Sequence, residues 1–297
     1  MRNPLNLPKT KTPGQMNPRA TCAGQLMVSP AFLWLLIFFL IPLGIMLVYS
    51  FFQRGRYGGI VWNFTFSNYS QLLNPLYLKP ILRSFWLAVA NTILCLIIGY
   101  PTAYYISKRT PRIRNILLIL VILPLWTNFL VRTYAWMIIL REGGLINTIL
   151  IKLGLINEPL QLLFTQKAVI IGLVYGYLPF MIYPLYVSIE KLNPSFLEAA
   201  RDLGANRFQT FWRVMLPLTL PGIAAGSVVV FVPTLGAFVT PDLLGGAKVP
   251  MIGNLIQHQY LKMRNWPFGS ALSFILLSLV LILLFIYIRA GSSQEQQ

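Results

Sequence analysis

Glu198-Ala199-Ala200-Arg201-Asp202-Leu203-Gly204 and, after nine further residues, Val214-Met215-Leu216-Pro217 form a polar, helix-forming stretch in an otherwise apolar chain. Ser195-Phe196-Leu197-Glu198 has the S-x-x-E form of a capping box, in which serine and glutamate satisfy the free amide donors of a helix start. Gly204 supplies the stop, because glycine tolerates the left-handed conformation past a helix C-terminus. The spacing therefore predicts a helix over 195–203, and Asn206 to Gln209 offer caps for a second one. Phe208, Phe211, Trp212 and Met215 give that second helix an apolar face suited to a membrane interface, and Pro217 and Pro221 end it. On the first helix, small and apolar Ala199, Ala200 and Leu203 sit among Glu198, Arg201 and Asp202. Such a surface lets another protein approach closely; an ordinary interfacial loop is the other reading the residues leave open. A helix this short is marginal alone.

The surroundings set the class. With 56% hydrophobic and 10% charged residues and a mean hydropathy of +0.66, the chain exceeds what a soluble globular domain carries. Apolar runs at residues 30–52, 84–106, 116–140, 168–189, 222–239 and 270–289 are each long enough to cross a roughly 30 Å hydrocarbon core as a helix. The expected fold is an all-α integral membrane protein with six transmembrane helices and the polar elbow, residues 190–221, between spans four and five. Residues 1–29 contain no acidic residue and are rich in Pro, Thr, Asn, Lys and Arg, which predicts a disordered basic tail. The run at 30–52 is read as a retained first span, since no small-residue cleavage site follows it. Residues 53–83 form an outer loop, 84–289 the core, and 290–297 a second tail.

Lys108, Arg109, Arg112 and Arg114 crowd segment 107–115, and short basic loops resist translocation, so this segment and both termini are placed in the cytoplasm. The net charge of +17 is dispersed among the spans and forms no nucleic-acid module. Cys22 and Cys95 fit neither a metal spacing nor a disulfide framework. No catalytic or metal-binding set is present, and no G-x-x-x-x-G-K-[ST] occurs, so the chain has no phosphate-cradling loop of its own.

The spacing E-A-A, three residues, Gly, nine residues, an aliphatic residue, one more, then Leu-Pro resembles the signature of binding-protein-dependent ABC importer permeases. Val214 is the aliphatic residue. The resemblance implies a type I importer permease of MetI-like architecture, whose coupling helix seats on a cytoplasmic ATPase subunit. That role would fall to Glu198, Ala199, Ala200, Asp202, Leu203 and Gly204. It also implies two copies of a separate ATPase subunit carrying ATP and Mg, a second similar permease, a substrate-binding protein and a bacterial inner-membrane location, with no cofactor on this chain. Further blocks resemble the PotB-like family of spermidine/putrescine importer permeases: Leu123-Pro124-Leu125-Trp126-Thr127-Asn128, Arg132-Thr133-Tyr134, Leu178-Pro179-Phe180-Met181, Asp242-Leu243-Leu244-Gly245-Gly246, Met251-Ile252-Gly253-Asn254 and Asn265-Trp266-Pro267-Phe268-Gly269. Polyamine import by alternating access is the function this implies. Related importers of iron, sulfate or molybdate share parts of these blocks.

For a cationic substrate, Asp242 is the only acidic residue at the predicted outer end of the fifth span, and a carboxylate beside a low-dielectric passage attracts an ammonium strongly. Capping, or pairing with Arg132 or Lys248, is its alternative role. Trp126, Tyr134 and Tyr175 could face ammonium groups through their rings, or anchor spans at the interface. Pro233, Gly236 and Pro241 interrupt the fifth span, so Phe231 and Phe238 become candidates for an apolar gate, with a simple packing kink as the alternative. Arg132, inside a span, is expected to be neutralised by an acid or by helix-end carbonyls. An ion-coupled secondary carrier is the contrasting class, but such carriers place acids within their spans, and here only Arg132 is ionisable there.

Overall fold

The computed structural model describes residues 18–292, and its α-helices and one small hairpin follow the apolar and capping patterns of the chain. Helix α1, Pro18–Ser50, begins earlier than expected. The tail at 1–29 is thus shorter than the composition suggests: residues 1–17 lie outside the described residues, and Pro18 opens the helix at a position where its missing N–H forfeits no internal bond. The end of the second tail, 293–297, also lies outside them.

Beyond Tyr49 the chain forms a second unit. Antiparallel strands β1, Phe52–Arg54, and β2, Ile60–Phe64, occupy the outer loop, with a register irregularity at Phe52/Gln53. Phe51 stacks on Phe64 with centroids 5.5 Å apart and meets Tyr69 at 5.4 Å. A short α2, Ser67–Gln71, leads to α3, Pro75–Ser107. This helix starts at Pro75 rather than residue 84 because Asn74 caps it, its side chain accepting from the Leu76 N–H.

The apolar run 116–140 is not one helix. Helix α4, Pro111–Ile122, tightens into a 3₁₀ turn over Leu123–Trp126, and α5, Phe129–Leu140, restarts under an Asn128 cap. Pro124 cannot donate to the ladder, so the break falls there although hydropathy is continuous. Helices α6, Leu145–Lys152, and α7, Gln166–Glu190, follow. The elbow holds α8, Pro194–Asp202, and α9, Arg207–Thr210, then a π-helical turn over Phe211–Met215 and α10, Leu216–Leu218. Helix α11, Leu220–Leu235, lies at 66° to the Arg207–Leu218 segment. Helices α12, Val239–Gly245, α13, Ile252–Gln257, and α14, Trp266–Ser292, complete the chain. The fifth span is interrupted as expected, over residues 236–238, and of the three expected interrupters only Gly236 lies in the break. Pro233 stays inside α11 and Pro241 inside α12, where a first-turn proline has no bond to lose.

Ser29–Ser50, Pro75–Ser107, Phe129–Lys152, Gln166–Glu190 and Trp266–Phe285 are long and apolar enough to cross a membrane. The bent pair Arg207–Leu218 and Leu220–Leu235 makes a sixth when taken as one span.

Helices α3, α7 and α11 pack most extensively on one another. Lipid tails are as apolar as leucine, so association rests on close packing and internal hydrogen bonds. Cys95, Tyr100, Ala103 and Ile106 of α3 interlock with Met181, Ile182, Leu185 and Ile189 of α7 and Val230 of α11. Two buried polar pairs tie α11 and α13 to α3: the Asn91 side-chain amide donates to the Thr234 hydroxyl at 2.9 Å, and the Ile252 N–H to the Ser84 hydroxyl at 2.7 Å. Cys95 is buried as a packing residue; the side chain of Cys22 lies outside the described residues. A second cluster joins Leu87, Leu140, Val169, Leu173, Leu244 and Met251, and so holds α12 against α7.

Candidate functional site

At the elbow, α8 is capped by Asn193 and not by Ser195. The Asn193 side chain accepts from the Ser195 N–H at 3.1 Å, so the expected Ser195–Glu198 box does not form. The reason is Pro194, which suits the first helical position and so places the cap at Asn193, two residues before Ser195. The C-terminal stop is as the sequence predicts. Gly204 has φ +85°, its N–H donates to the Arg201 carbonyl at 2.8 Å, and the Ala205 N–H donates to the Ala200 carbonyl at 3.0 Å. This is a Schellman closure. Asn206 and Gln209 then form a reciprocal box: the Asn206 oxygen accepts from the Gln209 N–H at 2.8 Å and the Gln209 oxygen from the Asn206 N–H at 3.0 Å.

These closures fix which faces of α8 look outward. Leu197 and Ala200 are half-buried, whereas Glu198, Ala199, Asp202 and Leu203 are exposed, Leu203 to 89%. Leu203 thus stands open beside the exposed carboxylates of Glu198 and Asp202. Open space surrounds Gly204, so a methyl group there meets no neighbour and only the positive φ opposes it. Gly204→Ala is expected to cost about 1–2 kcal/mol locally, and Gly204→Asn less, read as faster amide exchange over residues 197–205.

Behind the elbow, Pro217 removes a donor and the Leu216 N–H reaches back to the Phe211 carbonyl, which produces the π-helical turn. Thr219 sits fully buried at the bend. Its hydroxyl reaches the Met215 carbonyl at 2.9 Å and lies 3.0 Å from the Tyr100 hydroxyl, tying the bend to α3. Arg114 of α4 forms an ion pair with Glu190 at the end of α7, just before α8 begins. Sequence reading singled out neither link, since both join residues far apart in the chain.

At the opposite end of α11, Asp242 stands exposed in the first turn of α12, where a carboxylate complements the helix dipole. It pairs with neither Arg132 nor Lys248. Asp242 lines a cavity of about 350 Å³ together with Asn254, Gln257, His258 and Lys262. Asn254 is held there by donation to the Phe238 carbonyl at 2.8 Å. His258, the chain's single histidine, was the overlooked signal for this cavity.

The other pathway candidates do not converge on Asp242. Trp126 is 79% exposed at the end of its 3₁₀ turn, and Tyr134 is exposed on α5. Tyr175 packs edge-on against Trp136 at 5.5 Å. Phe231 packs edge-on against Phe85 of α3 at 5.7 Å, while Phe238 lies exposed in the break beyond α11. Arg132 corrects an expectation: its Nε and Nη1 are buried without a partner, and no acid lies among Phe129, Thr133, Trp136, Tyr175 and Leu244 around it. It faces the rings of Phe129 and Tyr175 at 5.7 and 6.0 Å instead.

A model of the family described as binding-protein-dependent transport system inner membrane component matches residues 95–293. The chain is 50% identical over 267 residues, 90% of its own length and 93% of the other's, to the spermidine/putrescine transport system permease protein PotB of Haemophilus influenzae. It is 46% identical over 258 residues, 87% of its length and 94% of the other's, to the protein of the same name from Escherichia coli. Among solved structures it is similar to a chain in the crystal structure of a bacterial alginate ABC transporter in complex with an alginate pentasaccharide-bound periplasmic protein. The TM-score is 0.70, with 19% identity over 91% of this chain and 93% of that one. That likeness is one of fold.

Proposed function

The chain belongs to the binding-protein-dependent transport system inner membrane component family, and from that premise we propose that it is the membrane-spanning permease of an ATP-driven polyamine importer. It receives spermidine or putrescine from a binding protein on the outer side and releases it into the cytoplasm. The single observation that carries the substrate is the likeness, over nine-tenths of the chain, to permeases named for spermidine and putrescine. The exposed carboxylate of Asp242 in an otherwise uncharged to basic cavity supports it, because a polyamine carries ammonium groups.

In this reading the elbow and both termini are cytoplasmic. Two copies of an ATPase subunit hold the ATP and Mg, and this chain performs no bond chemistry. Their closure moves α8 through the exposed Glu198, Ala199, Asp202 and Leu203, with Ala200 and Gly204 setting its shape. The bend at Thr219 passes the motion to α11, and the break at Gly236 opens the outer cavity. A second, similar permease completes the passage, and its acidic groups would answer the unpaired Arg132.

Uptake of radiolabelled spermidine and putrescine into proteoliposomes holding this chain, its partner permease, ATPase and binding protein tests the reading. ATP-dependent accumulation of either amine is expected. Stimulated ATPase activity without amine uptake would assign another solute, and uptake driven by an ion gradient after ATP depletion would overturn the importer itself. Asp242→Asn is expected to lower amine uptake at limiting substrate by at least about tenfold, given the roughly 1.5–3 kcal/mol of a hydrogen bond to a charged group. Unchanged uptake by the variant removes Asp242 from the passage.

A further inference from the structure

Behind α8 lies a cavity of about 510 Å³ lined by Tyr100, Pro101 and Tyr104 of α3, Leu197 and Arg201 of α8, Arg207 and Thr210 of α9, and Phe211 and Met215 of the π-helical turn. Its walls are of two kinds. Pro101, Leu197, Phe211 and Met215 form an apolar floor, while Arg201 and Arg207 bring two guanidinium groups from the two arms of the elbow. No acidic residue lines it, and neither arginine makes an ion pair among the described residues. The Tyr100 hydroxyl is already engaged with Thr219, so the arginines are the main donors that an occupant would meet.

The cavity lies near the C-terminal end of the 33-residue apolar helix α3. One turn beyond Tyr104, the Lys108 ammonium lies 5.7 Å over the Tyr104 ring, and the Arg109 guanidinium lies 4.0 Å over the Tyr105 ring. Cations and tyrosines gathered at a span end mark the headgroup layer. The face of α8 that carries Glu198, Ala199, Asp202 and Leu203 points away from the cavity, so the surface assigned to the ATPase subunit and this cavity are separate.

We propose that the elbow cavity binds an anionic glycerophospholipid, whose phosphate is held between Arg201 and Arg207 and whose first methylenes lie along Pro101, Leu197, Phe211 and Met215. Charge complementarity selects the anion, and the apolar floor selects an amphiphile over free phosphate, which would leave that floor uncovered. The volume falls in the range of small-molecule sites and exceeds what a phosphate ion fills. Because the lipid touches α3, α8 and α9 together, its occupancy holds the elbow against the span and sets how far α8 travels. The proposal rests on the cytoplasmic placement of the elbow only for the choice of leaflet.

The test is binding, so it stands apart from transport. The full-length chain in a neutral detergent is titrated with dioctanoyl phosphatidylglycerol, dioctanoyl phosphatidylcholine or inorganic phosphate and examined by native mass spectrometry. Retention of phosphatidylglycerol about tenfold tighter than phosphatidylcholine is expected. That preference should vanish in the Arg201→Gln/Arg207→Gln variant, persist in Arg213→Gln, and resist inorganic phosphate. Equal retention by the double variant, or displacement by inorganic phosphate, overturns the proposal. Photoactivatable phosphatidylglycerol on the unmodified chain needs no variant: labelling of peptides covering residues 100–104 or 197–215 supports the site, and labelling confined elsewhere refutes it. If no lipid is retained but a co-expressed ATPase subunit is lost from the double variant, the two arginines belong to that protein contact instead.

Discussion

Gly222→Val should separate α7 from α11 and lower the stability of the whole helical core. A side-chain carbon at residue 222 would overlap the Ser188 Cβ, and it would stand 2.7 Å from the Ser188 hydroxyl oxygen and 3.0 Å from the Pro184 carbonyl oxygen. Backbone on one side and a short side chain on the other leave no flexible tip to yield. A side-chain carbon at Gly226, one turn along, would stand 2.8 Å from the Met181 sulfur, so the two glycines form a small-residue stripe that lets α11 approach α7. Overpacking of this kind costs roughly 1–3 kcal/mol. The loss is read as a lower melting temperature in detergent and a reduced monodisperse fraction. The informative comparison is a cycle: Gly222→Ala alone should destabilise, and Ser188→Gly should restore most of that loss by removing the atom in the way. Strict additivity of the two changes would falsify the close approach as its cause.

Glu198→Lys should abolish coupled uptake while leaving the chain folded. The carboxylate is exposed on α8 and makes no ion pair among the described residues, so its replacement is expected to shift stability by no more than about 0.5 kcal/mol. Its effect therefore has to come from a partner surface. Truncating one member of a buried interfacial charge pair costs about 2–5 kcal/mol, so ATP-dependent amine uptake should fall at least about thirtyfold, with Glu198→Gln between the two. Assembly is followed in parallel by co-purification of the ATPase subunit. Near-normal uptake by an assembled Glu198→Lys complex would remove α8 from the coupling path. Loss of assembly together with uptake would keep α8 at the interface and make Glu198 a docking residue.

Those two variants sit at opposite ends of what sequence can convey. The elbow is legible because its determinants are local. Gly204, Asn206 and Gln209 each act within one turn of their own position, and the structure closes both helix ends through them. The start of α8 shows the limit of the same logic. Asn193 and Ser195 both suit a cap, and the choice is made by Pro194, which is best accommodated at the first helical position. Hydropathy conveys where the apolar runs are but not how a run is divided. The break between α4 and α5 lies inside a run read as one span, with Pro124 and Asn128 as its local marks.

The candidate pathway was less legible, because its members are set by tertiary contact. Asp242 was visible as a lone acid at the end of a span. Its neighbours Asn254 and His258 come from beyond the next turn and reach it only because α13 folds back under the Phe238 carbonyl. Arg132 finds at its Nε and Nη1 neither the acid nor the helix-end carbonyl expected to neutralise it, for a related reason. A sequence shows which acids exist but not where the fold brings them, and the guanidinium is left near the rings of Phe129 and Tyr175.

The angle at Thr219 has a mechanical meaning. With the Arg207–Leu218 segment set at 66° to α11, a displacement along the elbow's own axis projects more strongly across α11 than along it. Under the proposed coupling at α8, the pair would act as a crank and not as a piston, with α11 swinging sideways about the Tyr100–Thr219 pin. The glycine stripe facing α7 then serves as a bearing surface, smooth enough for one rod to roll on the other.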